Sequence, residues 1–403
     1  MKASARKRVL MLLQNCSYPR DDRVRREARA LTAGGYQVSV IARRAPGQRR
    51  VETLEGVRVY RFPAPPSADG FLGYVWEYGY SMVAIFLLCG WVLVCKGFDV
   101  VHAHHPPDTF AFIGAFFKLL GKRYVLDHHD LAPELYYARF GGKGNRSVHN
   151  ALIMLERLSC HFADHVLATN QSYKAVEMQR DRVPERRITI VRNGPDLNEL
   201  CCSDSEQVAR TDRKIVLGYV GVMGTQDGVD YLLRALKHLI CNLGRSDFDC
   251  ILLGSGNAFA RLKSLAQQLD LADHVLFTGW VNQQSEVAGY ISSMDICIAP
   301  EPSDPYNDRS TAAKVMEYMA LGKPVVAFDL PEHRYTAQDA AVYAHPNDEA
   351  DMARKIAWLM DDPQRRLIMG QTGRHRIESE LAWEHQAEYL LQVYESLGLH
   401  QMR

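Results

Sequence analysis

Twice along its length this chain repeats one local pattern, a short apolar run, a glycine- or proline-bearing turn, a stretch of helical period and a further apolar run. Arg8 to Leu13 opens the first instance, the loop Gln14 to Arg20 follows, and from about Asp21 a helix carries Val24, Ala28 and Leu31 on its inner face. Gly34-Gly35 ends that helix and Gln37 to Ala42 reads as the next strand. The second instance starts at Ile215 to Val220 and runs through Gly221 to Gly228 into a helix with Val229, Leu232, Leu233, Leu236 and Leu239 inside. Strand, helix, strand at this pitch dictates a parallel sheet covered by crossover helices. At 403 residues the chain fits two such cores, so the expectation is α/β with two doubly wound domains. Residues 199–213 lack periodicity and read as the linker between 1–198 and 214–375. In the remaining tail, 376–403, Trp383, Tyr389, Leu390 and Tyr394 make an apolar edge expected to pack back toward the first domain.

Charge is divided unevenly. Residues 1–100 carry 16 Lys/Arg against 8 Asp/Glu, whereas residues 201–403 carry 19 against 28. A basic front half, with Arg20, Arg23, Arg25, Arg26 and Arg29 around the first helix, suits an anionic surface or ligand. A solvated basic face is the plain alternative. The nine cysteines show no two-residue-spaced pairs, which fits a reducing compartment and no structural zinc. The apolar run Val9 to Leu13 is too short for a signal peptide. Phe71 to Cys95 is long and apolar enough to span a bilayer, yet strands of one sheet flank it. Two readings remain: a helix dipping Tyr74, Trp76, Tyr78, Tyr80 and Trp91 into a membrane interface, or a buried helix.

Two stretches carry chemistry. From Asp295 to Asp329 a strand leads into an acidic loop, Ser310 and Thr311 open a helix, and Leu321-Gly322-Lys323-Pro324 stops it before the strand Val325 to Phe328. Lys314 and Glu317 share one face near that helix's N-terminus. Free N–H groups with a cation suit a phosphate, and a carboxylate one turn deeper suits a ribose diol. An amphipathic helix with a surface ion pair explains the same spacing. The second stretch brings His102, His104 and His105, then Asp127, His128, His129 and Asp130, to the carboxyl ends of two strands, where parallel sheets bind ligands. A metal site is one reading. Contact of one or two histidines with substrate is favoured over it, because no Cys or Glu of ligand-like spacing joins them.

Together YPRDDRVRREARAL, FDVVHAHHPPDT with VLDHHDLAPE, and STAAKVMEYMALGKPVV resemble glycosyltransferase family 4, of GT-B fold, over essentially the whole chain. The resemblance is nearest to the bacterial branch that builds O-antigen, capsule or exopolysaccharide, including N-acetylfucosamine transferases. It implies retaining transfer from a nucleotide-sugar, UDP-linked, to a polyprenyl-diphosphate-linked acceptor by a cytoplasmic protein on the inner face of the cytoplasmic membrane. It implies no cofactor, no metal and no nucleic-acid partner. By position, Glu317 matches the ribose-binding glutamate, Ser310 and Thr311 the diphosphate-binding helix start, and Gly221 and Gly224 the loop beside the phosphates. Gly256 and Val281 would border the base, and His128 matches the histidine near the reacting sugar. His104, Asp130, Arg20 and Arg23 fall on the acceptor side. The chain departs from the family where a first glutamate precedes Glu317 by eight positions, for Arg309 stands there. The usual Arg and Lys are replaced by Val222 and Asp227, leaving Arg309 and Lys314 to neutralise the leaving group. Glu301 and Asp304 could pose as the acids of a glycosidase, but nothing in the sequence pairs them. A sugar-nucleotide epimerase of the same fold and a non-catalytic nucleotide or glycan binder are the rival functions.

Overall fold

The computed structural model describes residues 7–65, 70–140, 142–200, 214–281 and 283–398. The expected linker, 199–213, lies outside them apart from its first two residues. Two compact units are present, one of Met1–Pro133, Asn145–Asn193 and Gln386–Arg403, the other of Glu134–Gly144 and Gly194–His385.

The first unit holds strands β1 (Arg8–Leu12), β2 (Gln37–Arg43), β3 (Val51–Leu54), β4 (Val57–Phe62), β5 (Val100–His104), β6 (Arg123–His128), β7 (His165–Ala168) and β8 (Ile188–Ile190). Their spatial order is β3-β4-β2-β1-β5-β6-β7-β8. Every neighbouring pair is parallel except β3 with β4. That edge hairpin, absent from the sequence expectation, turns through Glu55 and Gly56, both at positive φ. The second unit holds β9 (Ile215–Val220), β10 (Phe248–Leu253), β11 (Val275–Gly279), β12 (Ile296–Ala299), β13 (Val325–Phe328) and β14 (Ala341–Ala344) in the order β11-β10-β9-β12-β13-β14, all parallel. The helices are α1 (Asp22–Ala33), α2 (Gly70–Cys95), α3 (Phe110–Leu119), α4 (Ala132–Arg139), α5 (Arg146–Phe162), α6 (Gln171–Gln179), α7 (Val229–Leu243), α8 (Phe259–Gln268), α9 (Gln284–Ser293), α10 (Ala313–Ala320), α11 (Pro331–Ala337), α12 (Glu349–Met360), α13 (Pro363–Arg376) and α14 (Trp383–Ser396).

Helices on both faces bury whole strands, as β5, β12 and β13 show with no exposed position. Strand order reverses between β1 and β5 and again between β9 and β12. At such a reversal the crossovers leave in opposite directions, which opens a crevice beyond the strands' carboxyl ends.

Three expectations change on folding. The first concerns α1, whose Asp21 caps the N–H of Val24 at 3.1 Å. Arg23 and Arg26 are buried with Val24, Ala28 and Leu31, so the helix is not a free basic face. Arg23 is drawn inward to Asp127 (3.4 Å) and Asp21 (3.6 Å), while Arg25 pairs with Asp22 and Arg29 with Glu55. The second concerns α2. Ile85, Cys89 and Val92 form a narrow buried stripe, whereas Val83, Leu87 and Val94 are 61%, 65% and 86% exposed. The helix is therefore not wholly buried. Phe112, Phe116 and Leu119 of α3 are also exposed, and Phe116 meets Phe86 of α2 edge-on at 5.0 Å. The third concerns α10, which starts at Ala313 behind an Ala312 cap rather than at Ser310-Thr311. Asp304 accepts the N–H groups of Tyr306 and Asn307 at 2.8 Å each, and Ser310 Oγ donates to the Tyr306 carbonyl at 2.9 Å. These polar side chains build a turn of their own ahead of the helix.

Candidate functional site

In the second unit a cavity of about 320 Å³ opens at the reversal between β9 and β12. Val220 lines it from the end of β9, Gly221, Val222 and Asp227 from the loop after it, and Glu301, Tyr306, Asn307, Ser310 and Thr311 from the loop after β12. Ala312, Ala313, Lys314 and Glu317 face it from α10, and His333 from α11. Of the residues singled out in the sequence, Gly221, Ser310, Thr311, Lys314 and Glu317 meet here.

Lys314 is the centre of the charge pattern. Its ammonium pairs with the Glu301 carboxylate, donates to the Tyr219 hydroxyl at 3.0 Å and lies 4.4 Å from the Tyr219 ring centroid. Burial alone would lower the Lys314 pKa, but Glu301, with Tyr219 and Asp227, outweighs it and holds the group well above its ordinary value. Burial pushes Glu301 up, yet Lys314 and then His333 bring it below the usual carboxylate range. Both partners are ionised. The backbone makes room for them. A Cβ on Gly221, at φ +149°, would come 3.1 Å from Lys314 Cε, and a Cβ on Gly228 would fall 2.0 Å from the Pro300 carbonyl oxygen. Tyr318 of α10 accepts the Val220 N–H at 2.8 Å, so helix and strand end are tied together.

Among the described residues no side chain caps the N-terminus of α10, and its first turn looks into the cavity. An uncapped N-terminus with a lysine beside it favours an anion. Asn307 Nδ2 reaches the carbonyls of Gln226 at 2.9 Å and Pro302 at 3.0 Å, holding the acidic loop closed over one side. His333 donates Nδ1–H to the Phe328 carbonyl at 3.0 Å, which leaves Nε2 facing Glu301 Oε2 at 3.6 Å. Sequence reasoning missed Tyr219 and His333 and misjudged Glu301, whose partner is Lys314. The usable signal for Glu301 was its place just after a central strand at a reversal.

Other predicted residues fall elsewhere. Arg309 turns its guanidinium back to the Pro305 carbonyl and does not line the cavity. Gly224 donates its N–H to Asp227 Oδ2 at 2.8 Å, and a Cβ on Gly256 would meet the Met223 carbonyl oxygen at 2.5 Å, so both glycines serve loop packing beside the cavity. Val281 is half-buried against the core under α10.

In the first unit His128 has no exposed surface. It pairs in register with Ala168 of β7, inside the sheet, rather than beyond it. Its Nδ1 lies 3.0 Å from Glu177 and its Nε2 3.7 Å from Glu156, and although burial opposes it these carboxylates hold the imidazole charged well above its ordinary pKa. His128 is thus the cation of a buried network and not an exposed sugar contact. Its neighbour His129, 23% exposed and 3.5 Å from Asn193 Nδ2, is the one past the register. His104 is buried with Nδ1 3.0 Å from Asp127, and Arg23 is buried on the same carboxylate. Arg20 is exposed and Asp130 half-buried.

The His128 network makes a testable statement about pH. Burial, then Glu156, push Asp181 up to about 8. The folded state therefore keeps a proton that the unfolded chain releases near 3.8, and stability falls as pH rises between those values by at most about 1.4 kcal/mol per unit. Asp181→Asn is expected to flatten that slope in urea-midpoint measurements from about pH 5 to about 8. Equal slopes in variant and parent would contradict it.

Known proteins fit this architecture. The model of the Glycosyl transferase 4-like domain matches residues 21–194, and that of Glycosyl transferases group 1 matches residues 203–376. An uncharacterized glycosyltransferase of Methanocaldococcus jannaschii is 24% identical over 386 residues, 91% of each chain. Sucrose-phosphate synthase from Thermosynechococcus elongatus superposes with a TM-score of 0.79 at 19% identity, covering 98% of this chain and 99% of that one. Anabaena HepE, solved in complex with UDP-glucose, superposes with a TM-score of 0.70 at 17% identity over 97% of this chain and 99% of its own. Two doubly wound parallel-sheet units, matched in turn by these two domain models, make the chain a glycosyltransferase of the GT-B fold.

Proposed function

We propose that this glycosyltransferase moves a sugar, with retained anomeric configuration, from a UDP-linked donor to a polyprenyl-diphosphate-linked glycan in cell-surface polysaccharide synthesis. The observation that carries the donor half is Lys314 beside the uncapped N-terminus of α10 in a cavity shared with Glu317. There the diphosphate lies against the helix start and the ammonium, and Glu317, one turn on, accepts from the ribose hydroxyls. HepE, of like fold, holds UDP-glucose, which supports the same donor class. As the donor's phosphate leaves, Lys314 and the helix end carry the developing negative charge, so the scheme calls on no metal. The departing oxygen stays beside the sugar, keeps the acceptor on the same face and takes its proton. His129, Arg20 and Asp130 are the acceptor-side candidates.

The acceptor half rests on the exposed apolar surface of α2 and α3. The most apolar eighteen residues of Trp76–Cys95 have a mean hydropathy of 1.9 and only 22% of them are buried, Lys96 follows the end of α2 directly, and Lys122 lies three residues past the end of α3. Apolar side chains rimmed by lysines suit the interface of an anionic bilayer, here the inner face of the cytoplasmic membrane. The N-acetylfucosamine-type branch is the specific assignment.

The test is a panel of nucleotide-sugars, each with and without polyprenyl-phosphate lipid extract. Free nucleotide released only with lipid supports the transferase, and product formed without lipid indicates an epimerase instead. Binding without turnover would sink both. For the membrane half, Leu87→Glu with Val94→Glu is expected to lower partitioning onto anionic vesicles roughly tenfold or more, since each apolar side chain contributes about 1–2 kcal/mol. Unchanged co-sedimentation would remove the lipid surface from the proposal.

A further inference from the structure

Beneath the carboxyl end of β5 lies a polar cluster that the transfer scheme does not use. His102 and His104 are two apart on that strand, so both rings project to one side of the sheet, 4.4 Å between centroids. Glu27 meets them from the inner face of α1. All three side chains are essentially without exposed surface.

Each histidine is held from behind. His104 Nδ1 lies 3.0 Å from Asp127 Oδ2 and 3.8 Å from Glu27 Oε2, and because a carboxylate only accepts, Nδ1 carries the proton and the lone pair of the neutral ring sits on Nε2. His102 Nδ1 lies 2.8 Å from the Tyr394 hydroxyl of α14. Its Nε2 points the other way, to Glu27. Glu27 Oε2, His102 Nε2 and His104 Nε2 each lack a hydrogen-bond partner among the described residues. Three buried polar atoms without partners, on residues that lie against one another, are costly unless something occupies space in the cluster and satisfies them.

We infer that the space holds a divalent transition-metal ion of the zinc class, ligated by Glu27, His102 and His104. One ligand atom from each residue falls within 4.8 Å of the other two. Glu27 Oε2 is 3.5 Å from His102 Nε2, long for a hydrogen bond but close to the roughly 3.3 Å between two ligands each about 2.0 Å from a tetrahedral ion. Two imidazoles fixed at Nδ1 by a carboxylate and a phenol, with Nε2 open, have the outer-sphere arrangement that orients histidines on metals. The local charge accepts a dication, since Asp21, Glu27 and Asp127 outnumber Arg23 and Arg26. Its work is structural. The ion pins α1 to β5, and through His102 it sits behind the Tyr394 contact of α14. Nothing is transferred or oxidised, and the metal-free scheme for sugar transfer is unaffected.

The experiment uses the full chain without a metal-affinity tag, expressed in zinc-supplemented medium and dialysed. Elemental analysis is expected to find close to one zinc per chain, falling to roughly a tenth or less in His102→Ala/His104→Ala. Because that variant can fail to fold, the parent protein is also stripped with dipicolinate and refilled with Co2+. Ligand-field bands that saturate at one equivalent, with a rise in Tm of about 5 °C on refilling, support the site. A parent protein that carries no metal, takes up no Co2+ and melts at one temperature with and without chelator overturns it. The space would then belong to a water molecule or a proton shared between Glu27 and His102.

Discussion

Lys314→Ala is expected to lower kcat by about 10²- to 10³-fold, the usual cost of removing one fixed charge from a site where charge develops. The donor's KM should change much less if the ammonium acts mainly as the phosphate departs, whereas a rise in KM with kcat intact would assign it to ground-state binding. The variant strands Glu301, which is buried to 6% exposure, so the kinetics must be read beside a thermal melt. Glu301 can relieve itself by taking a proton, and a folded, inactive protein is the expected outcome. A folded variant that turns over at the parent rate would dissolve the donor-site assignment, whatever becomes of the proposed metal in the first unit.

The second large effect is on stability and falls on the other half of the same pair. Glu301→Leu leaves an ammonium in a pocket where only 12% of the lysine side chain is exposed. Removing one member of a buried ion pair costs about 3–5 kcal/mol. Lys cannot lose that charge as easily as Glu301 can, because Tyr219 and Asp227 still favour it. Adding Lys314→Met to Glu301→Leu is expected to restore most of the loss, since two apolar side chains no longer strand a charge. Urea unfolding of the two single variants and the double variant measures the coupling. Additive losses would mean that the contact between Lys314 and Glu301 carries no energetic weight.

The pair also shows where reading the sequence stopped. That Lys314 and Glu317 share a helix face follows from a spacing of three and needs no fold. That Lys314 faces Glu301 does not, because the two are thirteen positions apart and only the turn around Asp304 sets their approach. The helix start was misplaced for the same reason. Ser310 and Thr311 read as the helix start, but the Ser310 hydroxyl donates to the Tyr306 carbonyl in the loop and the Thr311 hydroxyl to Glu332 of α11. The surroundings of the histidines on β5 were hidden in the same way. Their acidic neighbour Glu27, seventy-five residues before His102, arrives from α1. Likewise Arg23 reads as an exposed base on a helix until Asp127 is brought across from β6.

What the sequence alone determined is what local period and turn chemistry can encode: two α/β units, the order of strands and helices along most of the chain, the glycines after β9, and the face shared by Lys314 and Glu317. Only the tertiary structure decided which strands lie side by side, and so where strand order reverses and the crevices open. It also decided which charged side chains are drawn inside. Hydrophobic periodicity shows that a residue lies on an inner or outer face. The partner of a buried charge is set by which distant strand or helix lands next to it, and His128, read as a contact for sugar, became instead the buried counter-ion of Glu177 and Glu156.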